Sequence, residues 1–315
     1  MTVPREPVSF IVPAYNCADT IRKSVGSIFE GNFEAGDELI LVDDASTDET
    51  PRVVDQMQKS HPHMKVITHR ENKGTAAAAR NTGIEIAANE LIFCLDSDNI
   101  LQPGSVQPLA AHLLKTGADA AAFGELHYFR EDPKKVTHKW IYKDVITLAD
   151  ALAGVVWPGP SGNYLFTRGS WKRAGRYHEP YLENRSLDSW TFGIRQLATG
   201  SMFVTLTGTW YFHRYGHESH YVKNWRRGNQ SLAALIGLIP FLELLDETDV
   251  AYILSPGGRE SWYEKLSEHP LKIKSGARGE DGRIEYLRLY KREQRKRLAA
   301  SLMGKVRSRL KGPVE

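Results

Sequence analysis

The strongest constraint on the fold of this chain is a pattern repeated through its first third. Three short apolar runs each empty into a polar loop. Val8-Ser9-Phe10-Ile11-Val12 leads into Pro13-Ala14-Tyr15-Asn16, and Leu39-Ile40-Leu41-Val42 into Asp43-Asp44-Ala45-Ser46-Thr47-Asp48. Leu91-Ile92-Phe93-Cys94-Leu95 leads into Asp96-Ser97-Asp98. Apolar runs of this length read as parallel strands buried on both faces. Ligands of open α/β sheets bind beyond the carboxyl ends of such strands. The three loops would then share one cleft edge carrying Tyr15, Asp44 and Asp98. A solvated turn explains any one loop, but explains all three less well. Unpaired carboxylates make poor core residues. A hard divalent cation, by contrast, prefers oxygen ligands and keeps substrate phosphates in its shell.

Helical periods lie between these runs. Ile21, Val25, Ile28 and Phe29 share one face, as do Val53, Val54 and Met57 after the second loop. Thr75 to Ala88 is Ala-rich and helical, and Pro103-Gly104 opens a helix to about Thr116. Lys65 to Thr68, Ala118 to Phe123 and Leu126 to Phe129 read as further strands. This order predicts an α/β, Rossmann-like, mostly parallel sheet with helices on both faces. Further on, Val155 to Gly162 is a loop, Leu187 to Thr199 a helix and Met202 to Leu206 a short strand. The remainder reads as helical, over Asn224 to Leu245 and Glu260 to Glu268. The expected organisation is a catalytic domain over 1–215 and a helical extension over 216–315. Within the first, residues 1–100 would hold the donor and 101–215 the acceptor.

The 315 residues are 41% hydrophobic with a net charge of +3. The charge is uneven, since residues 286–312 hold ten Lys or Arg against one Glu. An acidic body with a basic tail follows. Leu298, Leu302, Val306 and Leu310 form a narrow apolar stripe within that tail. Such a helix suits an anionic membrane surface, although a solvated or packed helix and a polyanion-binding helix stay open. Nucleic acid is the less favoured partner, and the C-terminal helices are open to a homodimer contact. Cys17 and Cys94 make no disulfide framework, which points to a reducing compartment. The first residues lack signal-peptide character, and the apolar stretch Leu232 to Leu245 is too short to span a bilayer. The expected location is cytoplasmic, with peripheral attachment to the membrane as an option. Neither Gly-x-Gly-x-x-Gly nor Gly-x-x-x-x-Gly-Lys occurs, which argues against a dinucleotide dehydrogenase and a P-loop nucleotidase.

The motifs occur together in an order that resembles the family 2 glycosyltransferases. They are Val8 to Asn16, Val42-Asp43-Asp44-Ala45-Ser46-Thr47-Asp48, Asn72-Lys73-Gly74, Ala79-Arg80-Asn81-Thr82-Gly83 and the Asp-x-Asp run Asp96-Ser97-Asp98. Gly162 to Phe166, Trp171, Ala174-Gly175 and Leu187-Asp188-Ser189-Trp190 extend the match. Each motif is loose alone; together they are specific, and they stop at roughly residue 200. The resemblance implies a GT-A fold, a nucleotide-diphospho-sugar donor, Mg²⁺ or Mn²⁺, and inversion at the anomeric carbon. It implies that Pro13, Tyr15 and Asp44 lie against the base and that Lys73 and Arg80 approach the nucleotide. Asp96 would face the ribose and the metal's waters, Asp98 would ligate the metal, and Asp188 would be the general base. Many members carry Glu before the catalytic Asp, where this chain has Leu187, which leaves Glu183 as a rival base.

The chemistry supports those roles. A metal ion neutralises charge developing on a diphosphate leaving group. Inversion needs a base opposite that group, and a helix N-terminus at Asp188 favours a carboxylate. A plain helix cap is the alternative for Asp188. His213 or His217 is a candidate third metal ligand and Arg214 a candidate phosphate donor, against an ordinary half-buried His cluster. Trp157, Trp171 and Trp190 are candidates for an aromatic wall at the acceptor. UDP is the favoured nucleotide, with GDP and dTDP open. The acceptor would be a glycan or lipid-linked hydroxyl. The competing function is an inactive nucleotide-sugar-binding or scaffold protein.

Overall fold

A computed structural model describes residues 6–178, 187–216 and 230–277. Its strands are β1 (Val8–Ala14), β2 (Glu38–Asp43), β3 (Met64–Thr68), β4 (Leu91–Cys94), β5 (Ile100–Leu101), β6 (Ala120–Phe129), β7 (His138–Ile141), β8 (Val145–Ile146), β9 (Leu165–Thr167) and β10 (Phe203–Arg214). The helices are α1 (Ile21–Phe29), α2 (Thr50–Ser60), α3 (Ala76–Ile86), α4 (Val106–Thr116), α5 (Leu148–Leu152), α6 (Arg168–Arg173), α7 (Asp188–Ala198), α8 (Gln230–Leu238), α9 (Glu247–Leu254) and α10 (Pro256–Ser261).

All ten strands join one sheet, in the order β3-β2-β1-β4-β9-β6-β10-β5, with β7 on β6 and β8 on β10. β3, β2, β1 and β4 are parallel. β9 runs antiparallel to both β4 and β6, so β6 and its parallel neighbour β10 run the same way as β4. The carboxyl ends of β1, β2, β4, β6 and β10 therefore open on one edge. The expected mostly parallel sheet is thus a mixed one, parallel over the strands that end at that edge.

Burial explains the apolar runs. Phe10 and Val12 enter one core layer and Ile11 the other; Leu39 and Leu41 oppose Ile40 and Val42 in the same way. The first layer takes Ile21, Val25 and Ile28 of α1, Val53, Val54 and Met57 of α2 and Leu109 and Leu113 of α4. The second takes α3, α7 and α8, through Ala77, Ile84, Phe192, Ile194, Ala234 and Leu235. Gly83 lets α3 lie close to the sheet, since a Cβ there would stand 2.7 Å from Ile11 Cγ2.

Several elements depart from the sequence reading. The two strands expected between Ala118 and Phe129 are one, because Gly124 and Glu125 continue it. β10, expected to end near Leu206, extends through Trp210-Tyr211-Phe212-His213 to Arg214 after a register shift between Leu206 and Trp210. The helix expected to reach Leu245 ends at Leu238, where Ile239–Leu244 tightens into a 3-10 turn at Pro240. A helix expected over Glu260 to Glu268 stops at Ser261. Trp262, Leu266 and Leu271 share the core layer of α7, so the described part of the C-terminal segment packs on the sheet-bearing body. Trp157, Trp171 and Trp190 are each buried, which places their rings in the core rather than along a cleft wall. The basic tail, Glu183 and His217 lie outside the described residues.

Candidate active site

Arg80 is the centre of the site. It stands on the inner face of α3, only 3% exposed. Its Nη2 donates to Asp96 Oδ1 at 2.6 Å, and its Nη1 donates to Asp188 Oδ2 at 2.7 Å and to Ser189 Oγ at 3.1 Å. Below, the guanidinium carbon lies 5.3 Å from the centre of the Tyr177 ring. Burial alone would pull the Arg80 pKa down, but the carboxylates of Asp188 and Asp96 outweigh it and hold the pKa well above its ordinary value. Gly162 makes room for this contact: at φ +71°, a Cβ there would stand 2.6 Å from Ser189 Oγ and 3.1 Å from Arg80 Nη2. Sequence reasoning sent Arg80 toward the nucleotide. The structure turns it inward, because its face of α3 packs on the sheet and both carboxylates reach it there.

Asp96 follows β4 and is held on every side. Asn163 Oδ1 accepts from its backbone N–H at 2.8 Å, and Asn163 Nδ2 donates to Oδ2 at 3.0 Å. Asn99 Nδ2 approaches Oδ2 at 3.4 Å. Asp188 is the first residue of α7, where its Oδ1 accepts from the Ser189 N–H at 2.8 Å. The expected position at a helix N-terminus is therefore observed, and the carboxylate also meets a partner from α3.

Asp98 contrasts with Asp96. Its carboxyl is half-buried and pairs with no side chain of the described residues. Burial, together with the neighbouring Asp96 charge, pushes its pKa up to about 7, and Arg214 opposes the rise. Arg214 closes β10. Its N–H donates to Asn99 Oδ1 at 2.9 Å and its Nε to the Arg130 carbonyl at 3.1 Å. His213 Nδ1 lies 3.3 Å from both Asn99 Nδ2 and the Tyr211 hydroxyl. Burial lowers its pKa to about 4 despite the pull of Asp96, so the ring is neutral near pH 7. Among the described residues no three His, Cys, Asp or Glu side chains gather closely enough to hold a metal ion.

A second cluster lies at the ends of β1 and β2. Asp44 is 4% exposed. Its Oδ1 accepts from His69 Nδ1 at 2.6 Å, and both its oxygens accept from the Lys73 N–H, at 3.1 and 3.0 Å. Asn72 Nδ2 donates to the Asp44 carbonyl at 3.0 Å. The Lys73 ammonium points elsewhere, to Glu71 Oε1 at 2.7 Å. Asn16, at φ +47°, ties the two loops together: its N–H donates to Ser46 Oγ at 3.0 Å and its Oδ1 accepts from the Thr47 N–H at 2.8 Å. Pro13 sits in β1 opposite Val42. Tyr15 next to it is 48% exposed, a ring with an open face at the cleft.

The strand order sets these clusters side by side. Residues 9–204, more than half of the chain, match the family model described as Glycosyl transferase family 2. The chain belongs to glycosyl transferase family 2. Among the curated relatives of this family 2 chain is "Glycosyltransferase GlyG" of Streptococcus pneumoniae, 33% identical over 127 residues, 40% of this chain and 42% of that protein. Another, from Escherichia coli, is named "UDP-Glc:alpha-D-GlcNAc-diphosphoundecaprenol beta-1,3-glucosyltransferase WfgD". It is 30% identical over 145 residues, covering 44% of this chain and 55% of that one. The match with GlyG thus spans less than half of that relative's length. Solved structures show the same GT-A fold. S. aureus TarS 1-349 in complex with UDP-GlcNAc aligns at TM-score 0.63 and 18% identity, over 81% of this chain and 72% of that one. Mannosyltransferase PcManGT from Pyrobaculum calidifontis, in complex with GDP-Man and Mn²⁺, aligns at TM-score 0.56 and 18% identity, over 97% and 80%.

Sequence reasoning did not single out His69, Asn99 or Tyr177, and gave Ser189 no role although it stands in the Leu187-Asp188-Ser189-Trp190 motif. Asn163 and Asn16 stood inside quoted motifs, but their roles depend on partners far along the chain. No periodicity reports such pairs.

Proposed function

We propose that this family 2 protein is an inverting glycosyltransferase. It moves a sugar from a nucleotide-diphospho-sugar, with UDP favoured, to a hydroxyl of a glycan or lipid-linked acceptor. The observation that supports this most is the Arg80 clamp, which holds Asp188 and Asp96 at the carboxyl edge of the sheet. A base and an Asp-x-Asp loop held one guanidinium apart can act on one substrate.

Asp98 fits a divalent cation. It is an oxygen donor, it lacks a side-chain partner among the described residues, and it sits beside a second carboxylate that raises its pKa. Asp98, with Asp96 beside it, would hold Mg²⁺ or Mn²⁺, and the ion would offset charge on the departing diphosphate. His213 faces Asn99 and Tyr211 through Nδ1 and serves better as a support for that loop than as a ligand.

The chain's own groups do the rest. Tyr15 stacks on the base, and Asp44, fixed by His69 and the Lys73 N–H, accepts from the base edge. Arg214 adds positive charge on the diphosphate side. Asp188 takes the proton of the attacking hydroxyl on the face opposite the leaving group. The N-terminus of α7 favours its charged form, and Arg80 fixes its direction. The basic segment 286–312 would bring the protein to an anionic membrane surface bearing a lipid-linked acceptor.

Nucleotide release from UDP-, GDP- and dTDP-sugars, with and without Mn²⁺, tests the function. Metal-dependent release from one class, lost in Asp188→Asn when acceptor is present, supports it. Binding of a nucleotide sugar with no release under any condition would instead mean a binding or scaffold protein.

A further inference from the structure

An aromatic cluster stands on β6, β7 and the end of β10. The register pairs Tyr128 with His138 across β6 and β7, and with His213 across β6 and β10, so the three side chains share one face of the sheet. Tyr128 stacks on His138 with ring centres 4.2 Å apart and planes 10° from parallel. Trp140, His213 and Tyr215 meet Tyr128 edge-on at 5.2, 5.0 and 5.8 Å. His138 and Trp140 form its outer surface; Trp140 is 42% exposed. The cluster is continuous with the reaction centre, because His213 touches Asn99 and Asn99 touches Asp96.

We propose that Trp140 and His138 form a stacking platform for a sugar ring of the acceptor glycan. This deepens the glycosyltransferase reading and rests on it. Four observations favour a sugar. The ring contacts run from His213, beside Asn99 of the Asp96 loop, through Tyr128 to His138 and Trp140, the direction a chain of sugar units leaving that loop would take. Each ring couples an apolar face to a polar edge, which matches a pyranose with an apolar C–H face and a rim of hydroxyls. Arg130, whose Nε donates to the Tyr215 hydroxyl at 3.1 Å, adds a further polar group at the edge of the platform. Finally, the nucleotide loops end β1 and β2, whereas Trp140 and His138 stand on β7, which pairs with β6 on the same edge as β9. The platform thus stands on a strand other than those that end in the proposed base site. A donor held by Tyr15 and Asp98 leaves it free.

Two measurements on the full chain test this. The first titrates the protein with oligomers of β-linked glucose and of N-acetylglucosamine while following the indole N–H resonances. A saturable shift that disappears in Trp140→Ala supports the platform; no saturable shift with either series overturns it. The second measures transfer to the same oligomers at saturating donor. Trp140→Ala should raise the acceptor KM about tenfold with a smaller change in kcat, and Trp140→Phe should recover most of the loss. Ile141→Ala, on the opposite face of β7 and 73% exposed, should behave as wild type. Equal KM values for Trp140→Ala and Ile141→Ala overturn the platform while leaving the enzyme reading intact. A wild-type protein that releases nucleotide from no donor sinks the enzyme reading first, and the platform with it.

Discussion

Asp96 and Asp188 accept hydrogen bonds from the two terminal nitrogens of one guanidinium, that of Arg80, at 2.6 and 2.7 Å. One carboxylate follows a strand, the other opens a helix, and the cation between them is buried. Two negative charges therefore share one positive charge at the carboxyl edge of the sheet. The arrangement fixes direction for both carboxylates and leaves excess negative charge for a cation or a proton to balance.

Asp188→Asn tests the proposed base. The amide keeps the shape and can still accept from Arg80, but cannot take a proton. Transfer should fall by at least about 10²-fold, the usual worth of a general base. Nucleotide binding, read as the thermal shift caused by UDP, should remain near wild type. Near-normal turnover would move the base elsewhere, with Glu183 the first residue to test.

Arg80→Met removes the shared partner and leaves two carboxylates facing each other. Breaking a buried ion pair costs about 3–5 kcal/mol, so the thermal midpoint should drop sharply. Arg80→Met combined with Asp188→Asn should cost less than the two single changes together, because the second removes a charge that the first left unpaired. Strict additivity in chemical denaturation would show that Arg80 and Asp188 do not act as a pair.

How much of this was readable beforehand depends on whether the signal is local. β1, β2 and β4 are legible because burial on both faces leaves an unbroken apolar run. Asp44, Asp96 and Asp98 are legible because carboxylates after such runs have no core role. The inward turn of Arg80 is not. α3 carries Ala77, Ala78 and Ala79 next to it, and these small side chains leave the packed face of the helix undeclared. Asn163 meets Asp96 across a separation of 67 positions, and nothing local marks that. β9 is missed because three residues, Leu165–Thr167, are too few to show a period. Trp171 and Trp190 fill the core, as large rings usually do.

Asp98 predicts a pH dependence. Its pKa in the folded protein, about 7, lies above its ordinary value of 3.8. The folded state thus binds the extra proton more tightly than the unfolded chain does. The resulting stability is fully present below about pH 4 and is lost as pH rises through about 7. A divalent cation competes with the same proton. Stabilisation by Mn²⁺ should therefore be larger near about pH 8 than near about pH 6. Asp98→Asn should remove most of the Mn²⁺ effect at both values. A Mn²⁺ shift that ignores pH, or that survives in Asp98→Asn, would place the ion elsewhere.

Gly162→Ala tests the space on which the clamp depends. At φ +71° an L side chain is strained whatever surrounds it. Here the added methyl also meets Ser189 Oγ at 2.6 Å and Arg80 Nη2 at 3.1 Å. Ser189 can rotate, but Arg80 is packed over Tyr177 and bonded on both sides, so the guanidinium must shift. A destabilisation of about 1–3 kcal/mol follows from strain and overpacking together. If Asp188 is the base as proposed, the loss of transfer should be larger than that figure implies, because Asp188 moves with its partner and a small displacement of a catalytic group costs on the order of 10²-fold. Gly104→Ala separates the two effects: at φ +71°, with no atom near the added methyl, it carries the backbone strain alone. Stability and turnover should fall together in Gly104→Ala by only the strain. If both variants lose transfer equally, the close approach of Gly162 to Arg80 has no part in placing Asp188.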